Sequence, residues 1–458
     1  MASTTKKGSS TKDLKRVLGR KELMSAAVGQ IIGAGVMVMS ISALAMTGRS
    51  VNIAFVLASL LTIIGAIPTI YFGSVVRLRG GTYTQAAVFI NEKFAGFYIV
   101  TYIFSNMSLA MYAIGFTSYL TSLVPGVAPY AKYASALVMT VFFILNFFGA
   151  EWMAKIQNVM FYVLVIALLM FTAFGLPQVH WAGYFGNELF GRPLIENGLS
   201  GLLQAASFLT FATGGATIIV QFSAEAINPQ KDIPFVVIVS TLGVSILYAL
   251  LATCIGGILP PDQVIEAGNL SVIAKAIMPT PLYYFFIVGG AMFALGTTLN
   301  ASIGWVTKPI LQACEDGWFP PVLGTLHPKF KSPYILQAMF YVVNLIAIFI
   351  GLDVSELGKM VLVIGNVVGI VLALGVIRLP KLFPEAWAKS PFHVSDGVLK
   401  VSLVLSAAVL VMQFFMNMKG LALNIILFNV GMFIFSVLFA ILRYKSGKVN
   451  MTVSYEVN

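Results

Sequence analysis

Two short stretches of this 458-residue chain can do chemistry without any charged side chain: Gly33-Ala34-Gly35 and Phe211-Ala212-Thr213-Gly214-Gly215. Each lies in an apolar run long enough to cross a bilayer, which takes about 20 residues. The first run, residues 23–47, is uncharged throughout. Each glycine inside a helix costs about 1 kcal/mol relative to alanine. Paired glycines at mid-depth therefore mark either a break in the helix or the close approach of another backbone. Gly29 and Gly33 also form a G-x-x-x-G face, so close helix packing accounts equally well for the first stretch taken alone. A broken spanning helix is tolerated only where its freed backbone lines a cavity or is buried in protein. The chemistry of such a break is ion binding. A half-helix N-terminus presents free N–H groups to an anion, and a C-terminus presents carbonyls to a cation. An amino-acid zwitterion carries both charges side by side, and glycine lets it approach the main chain closely.

The remaining reactive side chains are sparse. Glu225 stands at the end of the second run, where it can pair with a basic residue as a gate or simply end a helix at the interface. Lys155 begins another apolar run and reads as a lysine snorkelling to the interface or as a functional cation. His180, His327 and His393 are far apart and lack metal-ligand spacing, so no metal site is expected. No G-x-x-x-x-G-K-[ST] loop or G-x-S-x-G elbow is present, which removes ATP-driven transport and hydrolase chemistry. No cofactor is expected. Cys254 and Cys314 both lie in or beside apolar runs, which argues against a disulfide framework. Tyr102, Ser105, Asn106 and Ser108 are candidate pocket contributors, whereas Tyr112, Phe104 and Trp305 read as packing or interface anchors.

The elements that position these groups follow from composition. With 59% hydrophobic and 10% charged residues, the chain is far from a soluble domain, in which about a quarter of residues are charged. It reads as an all-α polytopic membrane protein, and its net charge of +11 does not indicate nucleic acid. Apolar segments fall at roughly 24–47, 51–76, 96–124, 131–149, 153–176, 200–225, 234–259, 281–312, 334–351, 355–378, 398–417 and 421–442, twelve candidate spans. With the N-terminus inside, 22 of the 28 basic residues fall on the inner side, so both termini are expected to be cytoplasmic. The first 22 residues read as a disordered basic tail without a cleavable signal. Residues 77–95 read as an amphipathic interfacial helix, and residues 177–198 and 261–280 as long outer connections able to move as a gate.

The two glycine-interrupted spans are the first and the sixth. An odd repeat of five spans places the second copy upside down, and matched interruptions in inverted repeats are the best sequence pointer to a transporter site. This favours a site over packing. The expected organisation is residues 23–176 and 199–378 as two repeats of five spans, 398–443 as two further helices, and 444–458 as a cytoplasmic tail.

Four strings resemble the amino acid–polyamine–organocation transporter superfamily. They are residues 29–37, GQIIGAGVM; the sixth-span FATGG, with Thr213 where tyrosine is common; residues 225–234, EAINPQKDIP; and Asp316-Gly317-Trp318-Phe319-Pro320 with His327-Pro328 after the eighth span. The resemblance implies a leucine-transporter-type fold of 5+5 inverted repeats with discontinuous helices one and six. It implies a substrate site made by Ile31, Gly33, Ala34, Gly35, Phe211, Ala212, Thr213 and Gly214. In that site the amides of Ala34 and Gly35 take a carboxylate, and the carbonyls of Ile31, Phe211 and Gly214 take an ammonium. Phe211 is implied to close over the substrate, with Glu225 at the inner gate. Lys155 resembles the fifth-span lysine that stands in for sodium in sodium-independent members, with Ser302 as a partner. Residues 124–131 lack the cysteine that would join a partner glycoprotein. The expectation is a stand-alone, sodium-independent carrier of neutral amino acids in a bacterial plasma membrane, not an enzyme, similar to L-type-like exchangers. A proton-coupled symporter using Lys155 is the rival of the same fold. A membrane enzyme or a channel is the rival of another class.

Overall fold

A computed structural model of the chain describes residues 16, 18–33, 35–78, 80–148, 150–186, 189–223, 225–330, 332–451 and 455–457. The side chains of 150–158, 221, 455 and 456 fall outside that description. Helix dominates. Among the described residues ten runs are long and apolar enough to cross a membrane, from Arg20–Gly73 to Leu423–Lys445, and Tyr334–Ile350 is a further, shorter apolar helix. Val401, Leu423 and Leu442 on the last two helices are two-thirds exposed or more, as a lipid-facing surface requires.

Local chemistry sets many of the ends. Asp353 and Glu356 form a reciprocal capping box at the start of Val354–Gly375. Gly351, at φ +87°, ends Tyr334–Ile350 in the left-handed conformation that glycine tolerates. Gly48, at φ +67°, separates Ser40–Thr47 from Val51–Gly73, so the first two expected spans form one long apolar run with a break between them.

The first span is itself discontinuous. An α-helix, Arg20–Ile31, is followed by irregular Ile32-Gly33, and the chain resumes as a π-helical turn, Gly35–Met39, before Ser40–Thr47. The sixth span changes instead of stopping: α-helix Gly198–Thr213 passes into a 3₁₀ segment, Gly214–Phe222. Such segments beyond three or four residues are uncommon and often mark functional hinges. A shorter 3₁₀ turn, Asn106–Ser108, interrupts the α-helix of the third span. There Asn344 Oδ1 accepts the Ala110 N–H at 2.8 Å.

Two expectations are corrected, for residues 77–95 and for the end of the N-terminal tail. Residues 77–95 do not form one interfacial helix: Val76–Leu78 is a strand, Gly80 and Gly81 turn the chain at positive φ, and Thr82–Phe89 is a helix with most side chains buried. The charges of this stretch flank an uncharged helix packed inside the protein, with the Tyr83 hydroxyl donating to Asp316 Oδ2 at 2.8 Å. At the N-terminal tail, residues 1–15 and 17 lie outside the described residues. Its last part is ordered, with Leu18 bridging Ala226 and a helix beginning at Arg20. At the C-terminus, the Asn450 N–H donates to the Asp316 carbonyl, and Tyr455–Val457 pairs antiparallel with Val76–Leu78. Main-chain bonding, invisible to composition, holds both ends.

Candidate functional site

The two interrupted helices meet at their interruptions. A Cβ on Gly35 would lie 2.6 Å from both Cα and Cβ of Ala212, and one on Gly215 would lie 2.7 Å from the Gln30 carbonyl oxygen. A Cβ on Gly33 would collide with the Thr298 side chain. Packing and binding are therefore not alternatives here. The glycines let two breaks touch, and the touching breaks wall a cavity.

That cavity has a volume of about 520 Å³. Ile31, Gly35, Phe211, Ala212, Gly214 and Ser302 line it. Ala34 lies outside the described residues. Lys155 lies on the helix Ala150–Gly175, with its side chain outside the description. Gly33 is buried against Thr298. Thr213 turns away: its hydroxyl pairs with that of Thr62 at 2.7 Å, and Thr62 reaches the cavity in its place. Glu225 is half-buried, and its carbonyl accepts from the Leu18 N–H at 3.1 Å. No ion pair joins its carboxylate among the described residues. Instead Arg77 donates to the carbonyls of Ala226 and Ile227, and Arg20 pairs with Asp232 at 2.7 Å.

Some freed carbonyls already hold a donor. The Tyr248 hydroxyl donates to the Ile31 carbonyl at 2.6 Å, the Tyr119 hydroxyl to the Met37 carbonyl at 2.9 Å, and the Thr217 hydroxyl to the Gly214 carbonyl at 3.0 Å. A carbonyl has two lone pairs, so each can still face a cation. Nothing in the sequence distinguishes Tyr248 or Tyr119 from other tyrosines in apolar runs, and they were missed for that reason.

The third span contributes as expected, through Tyr102, Ser105, Asn106 and Ser108. Tyr112 and Trp305, expected as anchors, also line the cavity, while Phe104 packs edge-on to Phe428 at 5.9 Å. No Asp, Glu, Lys, Arg or His lines the cavity among the described residues. Its polar groups are hydroxyls, carboxamides, the Trp305 indole and main chain. Such a wall suits a ligand with no net charge, because an unpaired ion pays heavily for desolvation.

The cavity extends from the breaks toward the face on which the first helix begins, through Gln30, Thr69, Thr82 and Gln85. On the opposite side polar contacts tie the connections together. Buried Arg49 donates to the carbonyls of Gly183, Gly186 and Arg192. Arg192 binds both oxygens of Asp262 at 2.6 Å and Glu196 Oε2 at 3.1 Å. Its guanidinium pKa is raised above the ordinary value by Glu196 and then by Asp262. Asn269 donates to the carbonyl and hydroxyl of Ser118, and the Leu270 N–H donates to Tyr119 Oη. The two connections expected to act as a gate are thus tied to each other and to the ends of the spans on this side.

Among the described residues, ten long apolar helical runs and a cavity walled by two touching helix breaks give the architecture of a membrane carrier. Residues 18–442 match the amino acid permease family, and the chain belongs to that family. It is an amino-acid transporter of the amino acid–polyamine–organocation superfamily. It is 26% identical over 400 residues to the branched-chain amino acid permease of Bacillus subtilis, covering 82% of this chain and 83% of that one. It is 25% identical over 350 residues to the methylthioribose transporter of the same organism, covering 71% and 73%. To the human large neutral amino acids transporter small subunit 2 it is 22% identical over 341 residues, covering 70% and 62%.

Proposed function

We propose that this transporter carries neutral amino acids across a bacterial plasma membrane by alternating access, without sodium, as an exchanger or uniporter. The observation that carries the reading is the cavity built where the two breaks touch, lined by no charged side chain among the described residues. The Gly35 end of the first helix offers N–H groups to the carboxylate, with Ala34 beside it. The carbonyls of Ile31, Phe211 and Gly214 offer oxygen to the ammonium. Neutrality of the wall then leaves the zwitterion's two charges to the main chain. The names of the branched-chain and large neutral amino acid relatives point the same way.

The reading includes twelve crossings. The run Arg20–Gly73 holds two of them, divided at Gly48, and Tyr334–Ile350 supplies one of 17 residues, about 25 Å at 1.5 Å per residue. Residues 23–176 and 199–378 are the two repeats and 398–443 the added pair. The distribution of basic residues supports cytoplasmic termini; the cavity then opens inward and the Arg49 and Arg192 networks form the closed outer gate. Phe211 is the gate beside the substrate. Lys155, with Ser302, takes the place of sodium.

Uptake of radiolabelled amino acids into proteoliposomes tests the mechanism. Uptake that requires internal amino acid and ignores sodium and pH gradients supports exchange. Uptake into empty vesicles driven by a pH gradient makes the protein a proton symporter, and Lys155→Ala should then abolish that coupling.

A further inference from the structure

Two helices of the cavity wall each contribute one carboxamide. Asn366, on Val354–Gly375, and Gln413, on Asp396–Met418, both line the cavity and are only 4% and 3% exposed. Their helices run antiparallel. Lys359 Nζ, near the start of one, donates to the Lys419 carbonyl at the end of the other at 3.3 Å. Midway, a Cβ on Gly369 would lie 3.1 Å from Leu410 Cδ1. Asn366 is one turn from Gly369 toward Lys359, and Gln413 is one turn from Leu410 toward Lys419. The two amides therefore stand at one level on adjacent helices.

Neither side-chain amide has a bonding role within the fold among the described residues, save as a wall of the cavity. Among the described residues Asn366 Nδ2 has no hydrogen-bond partner, and Gln413 is engaged only through its main-chain carbonyl, by Asn417. Both lie in helix interiors, where they cap nothing. A buried amide without partners is costly, and native structures seldom leave one so. Leucine or methionine would fill the same space without that cost.

We propose that Asn366 and Gln413 form a subsite for the neutral, hydrogen-bonding end of the substrate side chain, a carboxamide or hydroxyl. This rests on the reading that the helix breaks hold the α-amino and α-carboxyl groups. A carboxamide donates and accepts, so it complements two amides in either orientation of each. An aliphatic side chain of the same shape leaves both amides unpaired. A site built to hydrogen-bond a ligand rejects the analogue lacking that group far better than an apolar pocket rejects an extra hydroxyl. Asparagine and glutamine are then preferred to leucine and methionine, and threonine to valine.

The test is thermal stabilisation of the purified full-length protein by single amino acids, titrated in the isosteric pairs asparagine–leucine and threonine–valine. The expected half-saturating concentration is roughly tenfold or more lower for the hydrogen-bonding member of each pair. In Asn366→Leu and Gln413→Leu the gap should close or reverse. Equal or stronger stabilisation of the wild type by leucine and valine overturns the subsite and leaves the transport reading intact. Stabilisation by none of the four amino acids overturns the reading itself, and the subsite with it. The wild-type comparison decides the matter even where a leucine variant fails to fold.

Discussion

Gly35 and Ala212 touch so closely that a Cβ on Gly35 would lie 2.6 Å from both Cα and Cβ of Ala212. The break in the first helix and the turn that ends the sixth α-helix are therefore one packed unit. Substitution at Gly35 cannot test binding alone. Gly35→Leu should impair folding, since overpacking a tight core costs typically 1–3 kcal/mol or more. Gly214 is the cleaner probe. It sits at φ −80° in the cavity wall, and nothing lies within 4 Å of its Cβ position. Gly214→Val should elute as a monodisperse, near-wild-type-stable protein that no amino acid stabilises. Wild-type affinity in that variant would place the substrate elsewhere.

Tyr248 supports the break from behind through its hydroxyl on the Ile31 carbonyl. Tyr248→Phe removes the donor and leaves a buried carbonyl short of a partner, at about 1–3 kcal/mol. Denaturation of the purified protein should show that loss, together with weaker substrate binding. A variant with unchanged stability and affinity would mean that the freed carbonyl needs no support.

The Tyr83 phenol is held well above its ordinary value of 10.0, first by burial and then by the neighbouring Asp316 carboxylate. The folded state therefore keeps this proton while the unfolded state releases it near pH 10. The stabilisation is full below pH 10 and declines as pH rises beyond it. Thermal melts should fall steeply above pH 10, and less steeply in Tyr83→Phe. Equal alkaline slopes in the two proteins would mean that Tyr83 does not set the alkaline limit.

Arg192 joins the 177–198 connection to the Pro261–Ala267 helix through Asp262. The Asp262 side chain is 71% exposed, so the pair contributes at most about 1 kcal/mol to stability. Its effect should be on access. In Arg192→Gln, a cysteine introduced at Tyr112 in the cavity should react faster with a membrane-impermeant thiol reagent added from that face, with little change in melting temperature. An unchanged labelling rate would mean that Arg49 and Asn269 close this side unaided.

The sequence made the breaks legible because a glycine pair weakens the apolar helix that contains it, and the structure interrupts both helices where the pairs stand. It also made the neutrality of the site legible, since so few charges lie in the spans. Side-chain direction was not legible. Thr213 follows Ala212 in the motif yet faces Thr62, because a one-residue step rotates a helical side chain by about 100°. Asn366 and Gln413 were missed because each is one polar residue in an apolar run, and only the antiparallel packing of their helices makes them a pair. The buried helix Thr82–Phe89 was misread because the charges on either side of it read as interface, and the contact of Tyr83 with Asp316 that buries it is not visible in the sequence.

The central claim is that main chain at two helix breaks recognises both charged ends of an amino acid. Its most direct test is binding to the purified protein of three matched compounds: leucine, the amine that lacks its carboxylate, and the acid that lacks its amine. Asparagine with its matched amine and acid should be run in parallel. The prediction is that only the zwitterions bind, that each single-charge analogue is weaker by a factor of ten or more, and that Gly214→Val binds none. Comparable binding of either analogue would contradict it, because then only one break, or neither, holds the ligand.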